Sequence, residues 1–312
     1  MSRKPFRFAA SMPGLNRTPA EWREHVRRVE DLGFSSVAVS DHFTDGWAMD
    51  PIVAMTVAAE ATSRLTVLSL VFCNDFRHPV LLHKSMANLD VFSGGRVEIG
   101  LGAGWKQTEH EAAGLRFDPP AERVERLAEA IDVVTGLFGP QPLTYAGKHY
   151  RITALDGLPK PVREPYPPIV VGGGGRKVLE LAGRRADIVG INPRLTAGGG
   201  LAAAMADMTP ESIARKVGWA RAAAADPDRL EFQMTMLHVR VTVGGQTHGS
   251  TSSQAAQASP DQLKASPAVL HGSVDECVDK LVEVRERFGI SYFHLGGNLA
   301  AAAPVVARLA GS

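Results

Sequence analysis

The feature that most restricts the fold of this chain is a regular alternation of short apolar or β-branched runs with longer helical patterns. Eight strand–helix pairs follow one another along the 312 residues. The predicted strands are Phe6–Ala10, Ser36–Ser40, Thr66–Val71, Arg96–Leu101, Ile169–Val171, Ile188–Ile191, Phe232–Val241 and Ser291–Leu295. The predicted helices cover residues 19–32, 51–63, 79–92, 120–138, 175–184, 210–225, 274–288 and 303–310. This order and length predict a closed parallel (β/α)8 TIM barrel rather than an open sheet.

Local signals at the helix ends agree with these boundaries. Residues 18–21, 259–262 and 273–276 each place a serine or threonine three positions before a glutamate or glutamine, which is the pattern of a capping box. Gly33 and Gly289 each stand between a helix and the next strand, where a left-handed residue is favoured. The alternation therefore consists of separate helices with defined ends.

Three stretches are longer than a plain barrel requires, and they follow strands 4, 6 and 7. Residues 139–167 predict an excursion with a hairpin around Leu143–Ile152, because the stretch is rich in proline, glycine and aromatic residues. Residues 193–208 and 243–258 follow strands directly, so we expect them at the mouth of the barrel, as lids or as segments without fixed structure. With these insertions, residues 1–312 are expected to form a single domain.

Composition excludes several classes of partner. The chain has 34 basic and 33 acidic residues, so neither sign favours a nucleic acid or a membrane surface. No segment approaches the roughly 18 uninterrupted apolar residues of a membrane span, and the first residues lack a signal-peptide pattern. Cys73 and Cys277 are too few and too far apart for a disulfide framework. We therefore expect a cytoplasmic protein.

In a barrel the residues that follow each strand converge on one pocket, and the clearest chemical signal there is a run of four glycines. Gly172, Gly173, Gly174 and Gly175 come after the fifth strand and open a helix, followed by Arg176 and Lys177. Bare backbone amides at a helix N-terminus favour a phosphate group, and the two basic side chains add positive charge. The alternative is a turn that is merely flexible.

Two further strand ends carry candidate chemistry. His42 follows the second strand beside Asp41, and a histidine there transfers protons near neutral pH unless it only caps the strand. Gly100, Gly102 and Gly104 provide either a wall without side chains for a flat ring or close packing at the barrel rim. Both interpretations remain open from the residues alone.

Other reaction classes find less support. The remaining histidines show no metal-ligand spacing, and neither an HExxH nor a CxxC motif is present, so no metal is predicted. A phosphosugar aldolase or isomerase would need a lysine or paired carboxylates at the strand ends, which the chain lacks there. Cys73 lies near the expected pocket, and we interpret it as a small buried thiol.

Several of these segments together resemble the luciferase-like hydride transferase and monooxygenase family. The resemblance runs in order to about residue 190 and resumes at residues 272–276. The matching segments are Ser40-Asp41-His42-Phe43, Arg77-His78-Pro79, Leu89 to Arg96, Gly100-Leu101-Gly102-Ala103-Gly104-Trp105 and Pro167 to Gly175. Within the family the chain is most similar to the branch of oxidoreductases that use the deazaflavin coenzyme F420.

The resemblance implies a cofactor in the barrel mouth, a proton-transferring histidine at His42, and a non-prolyl cis peptide at Ser69–Leu70 or its neighbour. It assigns Asp41 together with His42 to the catalytic site. The cofactor-binding residues that it implies are Asp41, Ser69, Leu70, Ala103, Gly104, Gly172, Gly173, Gly174, Gly175 and Arg176. The chain departs from the family's glucose-6-phosphate dehydrogenases at Trp105, where they have a glutamate. Trp47 and Trp105 instead predict a more apolar substrate pocket, so glucose 6-phosphate is not the expected substrate.

The preferred function is hydride transfer between coenzyme F420 and a small organic substrate, as a reductase or a dehydrogenase. Arg176 and Lys177 are candidates to meet the oligoglutamate tail of F420. The alternative is an FMN-dependent monooxygenase supplied by a partner reductase, since both cofactors carry a tricyclic ring and a phosphate. A third hypothesis is a non-catalytic flavin-binding protein. By analogy with relatives, we expect a homodimer.

Overall fold

The computed structural model describes residues 4–194, 201–250, 263 and 265–312. The strands are β1 (Arg7–Ser11), β2 (Ser36–Val39), β3 (Thr66–Ser69), β4 (Phe72–Cys73), β5 (Val97–Gly102), β6 (Leu143–Ala146), β7 (Arg151–Leu155), β8 (Ile169–Gly173), β9 (Ile188–Ile191), β10 (Glu231–Thr235), β11 (His238–Val243), β12 (Gln246–Ser250), β13 (Val269–Ser273) and β14 (Ile290–His294). The helices are α1 (Pro19–Asp31), α2 (Pro51–Ala61), α3 (Pro79–Ser93), α4 (Gln107–Ala112), α5 (Pro120–Phe138), α6 (Arg176–Arg185), α7 (Leu201–Ala206), α8 (Pro210–Ala223), α9 (Val274–Phe288) and α10 (Leu299–Leu309).

Eight parallel strands close into a barrel, as the alternation predicts. Their order around the barrel is β1, β2, β3, β5, β8, β9, β10 and β14, and β14 pairs again with β1. The chain therefore forms a (β/α)8 TIM barrel. In this fold the loops that follow the strands meet at one face, which places the functional site.

Residues alternate along each strand between two apolar layers. Phe8, Val37 and Val171 face the surrounding helices in the larger core, whereas Ala9 and Ala38 belong to a small cluster inside the barrel.

A polar layer fills the opposite end of the barrel. Arg7 forms an ion pair with Glu98 and another with Glu231 at 2.8 Å. The Tyr292 hydroxyl donates a hydrogen bond to Glu98, and the Arg7 guanidinium lies over the Tyr292 ring. These buried charges are paired, as burial requires, so this end is filled and structural.

The prediction of one strand over Phe232–Val241 is wrong. The chain leaves the barrel after β10, and β11 pairs with β12 and β13 in a separate three-stranded sheet. The Met236 amide donates to the His294 carbonyl and the Leu237 amide to the Ala268 carbonyl, so these two residues carry the chain from the barrel to the small sheet. No glycine or proline marks that transition, and β13 was not predicted.

The other insertions are partly as expected. The predicted hairpin is present as β6 and β7, although its second strand extends to Leu155. The insertion after the sixth barrel strand contains α7, and the one after the seventh contains β12, whereas residues 195–200 and 251–258 lie outside the described residues. The last helix begins at Leu299 rather than residue 303, because Asn298 caps it by accepting the Ala301 amide.

The helix caps confirm two of the three predicted capping boxes. Thr18 with Glu21 and Ser273 with Glu276 form the reciprocal hydrogen bonds, and Gly289 ends α9 in the left-handed conformation. The predicted box at residues 259–262 lies outside the described residues. Among the helices that are described, none combines the length and the apolar character needed to cross a bilayer.

Candidate functional site

His42 lies just beyond the end of β2 and is bound to a carboxylate that the sequence did not single out. Its Nδ1 is 2.7 Å from Oε2 of Glu109 in α4. Glu109 also accepts hydrogen bonds from the Phe43 amide at 2.8 Å and from the Thr44 amide and hydroxyl, each at 3.1 Å. Burial opposes ionisation of this carboxyl group, but the hydrogen bonds from His42 and Phe43 hold the pKa of Glu109 below its usual range.

This pairing determines which nitrogen of the His42 ring carries a proton. An ionised carboxylate only accepts hydrogen bonds, so Nδ1 of His42 carries a proton and donates it to Glu109. The second ring nitrogen, Nε2, is therefore the one able to take up or release a proton in a reaction. Lys106 also holds the loop that follows His42, because its Nζ donates a hydrogen bond to the Thr44 hydroxyl at 2.7 Å and forms an ion pair with Asp45.

Two tryptophans flank His42. The ring centroids of Trp47 and Trp105 lie 5.3 Å and 5.9 Å from that of His42. Both indoles are large apolar groups that remain partly accessible, with 50% and 40% of their surfaces exposed. Of the two residues predicted for an apolar substrate pocket, Trp47 lines the cavity described below, and Trp105 is not among its described lining residues.

Asp41 is held by other protein groups. It is buried, accepts the Cys73 amide at 3.0 Å, and forms an ion pair with Arg77, which also pairs with Asp50 at 3.2 Å. Burial raises the pKa of Asp41, and the Arg77 guanidinium opposes that rise. The hydrogen bond from Cys73 and the ion pair with Arg77 therefore connect the end of β2 to β4 and to the segment that follows β4.

The strand-3 region contains the cis peptide that the family resemblance implies, and it joins Leu70 to Val71. Ser69 exchanges two hydrogen bonds with the backbone of Gly100, at 2.8 Å and 3.0 Å. A Cβ atom on Gly100 would lie 1.9 Å from the Ser69 carbonyl oxygen, and one on Gly102 would lie 2.7 Å from Val71. These two glycines therefore allow close packing against the segment that contains the cis peptide.

Ala103 and Gly104 are positioned by a residue that the sequence did not indicate. The Arg123 guanidinium, from α5, donates to the carbonyl oxygens of both. A Cβ atom on Gly104 would lie 2.9 Å from Cys73 Sγ, and Gly104 has a positive φ of 73°. Burial raises the pKa of Cys73 to about 12, so its thiol stays protonated and behaves as a packing group.

The four glycines were predicted to follow the strand, but Gly172 and Gly173 are the last two residues of β8, and only Gly174 and Gly175 lie between β8 and α6. A Cβ atom on Gly173 would collide with Val178, and one on Gly174 would lie 2.4–2.5 Å from the backbone of Pro193 and Arg194. Gly175 is the N-cap of α6 without a side-chain cap, and a Cβ atom there would meet nothing within 4 Å. The first amides of α6 thus have no side-chain cap, and uncapped amides at a helix N-terminus favour an anionic group such as a phosphate.

Arg176 follows as the first residue of α6. Its Nε donates to Glu180 at 2.6 Å, and its side chain is 69% exposed. This ion pair with Glu180 reduces the positive charge that Arg176 adds to the N-terminus of α6.

A cavity of about 220 Å³ opens at the mouth between the ends of β1, β2, β3 and β14. Trp47 and Leu70 are the predicted site residues among its lining residues. Neither His42 nor the glycines 172–175 are among the described lining residues. The His42 ring contacts the wall residue Trp47, and the position of a Cβ atom on Gly172 lies 3.4 Å from Val71, the neighbour of the wall residue Leu70.

Sequence reasoning missed three residues at this mouth: Glu109, Arg123 and His294. His294 ends β14, lines the cavity, and has its Nε2 2.9 Å from the Ser11 hydroxyl. Burial lowers the pKa of His294 to about 4, so this ring is neutral near pH 7. Within the described parts of the chain, no group of three or more histidine, cysteine, aspartate or glutamate residues could hold a metal ion.

Comparison with known families identifies the group to which this barrel belongs. The family model described as luciferase-like monooxygenase matches residues 5–291. The chain belongs to this family. The resemblance inferred from the strand-end motifs is therefore confirmed.

The relatives of this luciferase-like protein include enzymes named for two cofactors. It is 33% identical over 177 residues to an F420-dependent glucose-6-phosphate dehydrogenase of Intrasporangium calvum, covering 54% of this chain and 52% of the relative. It is 28% identical over 169 residues to an FMNH2-dependent dimethylsulfone monooxygenase of Pseudomonas putida, covering 53% and 46%. The matched region thus spans about half the length of these relatives.

Solved structures extend the likeness to the whole fold. The coenzyme F420 dependent tetrahydromethanopterin reductase of Methanopyrus kandleri superposes with a TM-score of 0.76 at 18% identity, covering 97% of each chain. At this identity the match shows the shared barrel fold.

Proposed function

We propose that this protein is an oxidoreductase that transfers hydride between coenzyme F420 and a small organic substrate. The observation that carries the proposal is the His42–Glu109 pair at the mouth of a luciferase-like barrel, with a 2.7 Å contact that leaves Nε2 of His42 for proton transfer. Several relatives of the chain are named as F420-dependent dehydrogenases, which supports the choice of cofactor.

In this reaction we assign separate roles to the residues at the barrel mouth. The N-terminus of α6 at Gly175 would bind the phosphate, and Leu70 with the adjoining peptide would support the ring. When bound, the deazaflavin supplies the carbon that donates or accepts hydride. His42 would give a proton to the substrate in reduction or take one in oxidation, while Glu109 stabilises the charged ring. Trp47 and Trp105 would limit access of water. Asp41 would hold the site together through Arg77 and the Cys73 amide.

An FMN-dependent monooxygenase is the second candidate. The relative named as an FMNH2-dependent monooxygenase favours it, and the same α6 N-terminus would accept the FMN phosphate. That function would require a partner reductase to deliver reduced flavin. For either activity we propose a single domain over residues 1–312 and a homodimer in the cytoplasm, with a small molecule as substrate.

The test of the preferred function separates binding from turnover. A His42→Ala variant should bind F420 with unchanged affinity but lose about 10²–10⁴-fold in turnover, the usual contribution of a general acid or base. A His25→Ala variant in α1 is the control for loss of an imidazole elsewhere. Unchanged turnover in His42→Ala would eliminate the proton-transfer role.

A further inference from the structure

The walls of the mouth cavity carry no formal charge. None of its described lining residues is an aspartate, glutamate, lysine or arginine. Most are apolar or small, including Met12, Leu15, Met49 and Leu70. Burying a charged substrate group here would leave it without an opposite charge, at a cost that only pairing or hydrogen bonding offsets.

The polar side-chain groups of the cavity are the hydroxyls of two serines, the neutral His294 and the indole N–H of Trp47. The Ser40 hydroxyl donates to the Leu70 carbonyl at 3.4 Å, and Ser11 Oγ lies 2.9 Å from His294 Nε2. His294 Nδ1 is buried without a hydrogen-bond partner. In one ring tautomer the Ser11 hydroxyl donates to His294 and keeps lone pairs free, and in the other it accepts and keeps its proton free. Ser11 therefore suits a ligand oxygen that either donates or accepts.

From these walls we infer that the cavity takes a compact, uncharged, largely hydrocarbon substrate whose single carbonyl or hydroxyl oxygen binds Ser11 beside His294. The inference rests on the proposed function and names its substrate class. The cavity has a volume of about 220 Å³, which is smaller than the roughly 300–1,000 Å³ of drug-sized ligand pockets. The substrate must therefore be a compact molecule.

In reduction the carbonyl carbon would accept a hydride with its two electrons from the reduced deazaflavin, and the carbon–oxygen π bond would break. The oxygen would take a proton and become the hydroxyl of an alcohol; the proposed proton donor is His42, whose ring lies beside the wall residue Trp47. Oxidation of the alcohol would reverse both transfers and reduce the deazaflavin.

The test compares the binding of three small molecules that each contain a six-membered ring, one of them neutral and two of them negatively charged. Binding of cyclohexanone, cyclohexanecarboxylate and glucose 6-phosphate to the full chain is measured by calorimetry at pH 7. The ketone should bind, and the two anions should bind at least tenfold more weakly. Ser11→Ala should weaken ketone binding about three- to tenfold, the value of one hydrogen bond. His294→Phe, which removes both ring nitrogens, should weaken it similarly.

Ser85→Ala is the matched control, since that hydroxyl bonds only the Leu81 carbonyl within α3. Thermal unfolding establishes that each variant is folded. The inference is overturned if either anion binds as well as the ketone, if the ketone does not bind, or if both cavity variants keep wild-type affinity. Titration of the same proteins with F420 separates the two proposals: a wild type that binds the ketone but not F420 contradicts the proposed function and leaves the charge selectivity of the cavity measured.

Discussion

His42 and Glu109, 67 positions apart in the sequence, form a 2.7 Å contact between Nδ1 and Oε2 at the mouth of the barrel. The contact joins the end of one strand to the short helix that follows another, so the imidazole is oriented by a group from a different part of the chain. The orientation commits one ring nitrogen to the carboxylate and leaves the other for chemistry.

A Glu109→Gln variant tests this orientation. The amide is neutral and cannot stabilise a protonated His42, so turnover should fall by about 10–100-fold while the affinity for F420 stays within about twofold. Steady-state kinetics and a cofactor titration measure the two effects. Glu111→Gln on the same helix is the control, because Glu111 bonds only the Gln107 side chain at 2.8 Å. Equal turnover of both variants would show that Glu109 does not act on His42.

A Gly175→Asp variant tests whether the N-terminus of α6 binds the cofactor phosphate, because the substitution should lower cofactor affinity without lowering the stability of the protein. Gly175 has an extended conformation and space for a side chain, and aspartate is a preferred N-cap residue. Thermal stability should therefore stay equal or rise by a few tenths of a kcal/mol. The new carboxylate would repel a phosphate, so cofactor affinity should fall at least tenfold. Unchanged affinity would place the phosphate elsewhere. Gly218→Ala, at an open position in α8, is the control.

Lys216 is a buried cation that joins both ends of the insertion after β9. Its Nζ donates to the Asn192 and Asp207 carbonyl oxygens, each at 2.9 Å, and to the Asp207 carboxylate at 2.7 Å. Lys216→Met should lower the free energy of unfolding by about 1–3 kcal/mol, because these acceptors lose their donor. Urea denaturation measures the change. Lys84→Met, which removes one exposed contact to the Leu158 carbonyl, should change it by less than about 0.5 kcal/mol. Equal effects of the two substitutions would refute the role of Lys216.

We expect His83 to make the free energy of unfolding decrease as the pH is lowered below 6.5. Its ring packs against Phe138, and burial lowers the pKa of His83 to about 4, below the ordinary 6.5. The unfolded chain therefore binds a proton at this site that the folded chain does not. The resulting stability is fully present above pH 6.5 and is lost as the pH falls towards 4. Urea unfolding at pH 7, 6 and 5 should show a shallower loss for His83→Leu than for the wild type, and parallel curves would contradict this assignment.

The sequence predicted the barrel because its helices have strong local signals. The bounds of α5 and α9 match the predicted helices 120–138 and 274–288, where apolar periodicity coincides with Pro120 at the first position of α5 and with the capping box of α9. The prediction failed at residues 232–241, where two alternating apolar runs meet at the adjacent apolar residues Met236 and Leu237, and no turn residue separates the two strands. Strand periodicity records which side chains are buried and carries no information on which sheet buries them.

The candidate site was predictable where its residues lie at a strand end or in the loop that follows it. His42, Trp47 and the glycine run satisfy that condition. Glu109 lies in a six-residue polar helix without apolar periodicity, and Arg123 reaches the mouth by a long side chain from the outer helix α5. His294 lies within a predicted strand, and its position at the cavity depends on the pairing of β14 with β1. Such contacts depend on tertiary structure.

We propose that this barrel mouth binds the deazaflavin, and an equilibrium titration measures that binding. Purified protein is titrated with F420 and, separately, with FMN, and the change in cofactor fluorescence gives each dissociation constant. We predict that F420 binds at least tenfold more tightly than FMN. Tighter binding of FMN, or binding of neither, would contradict the account.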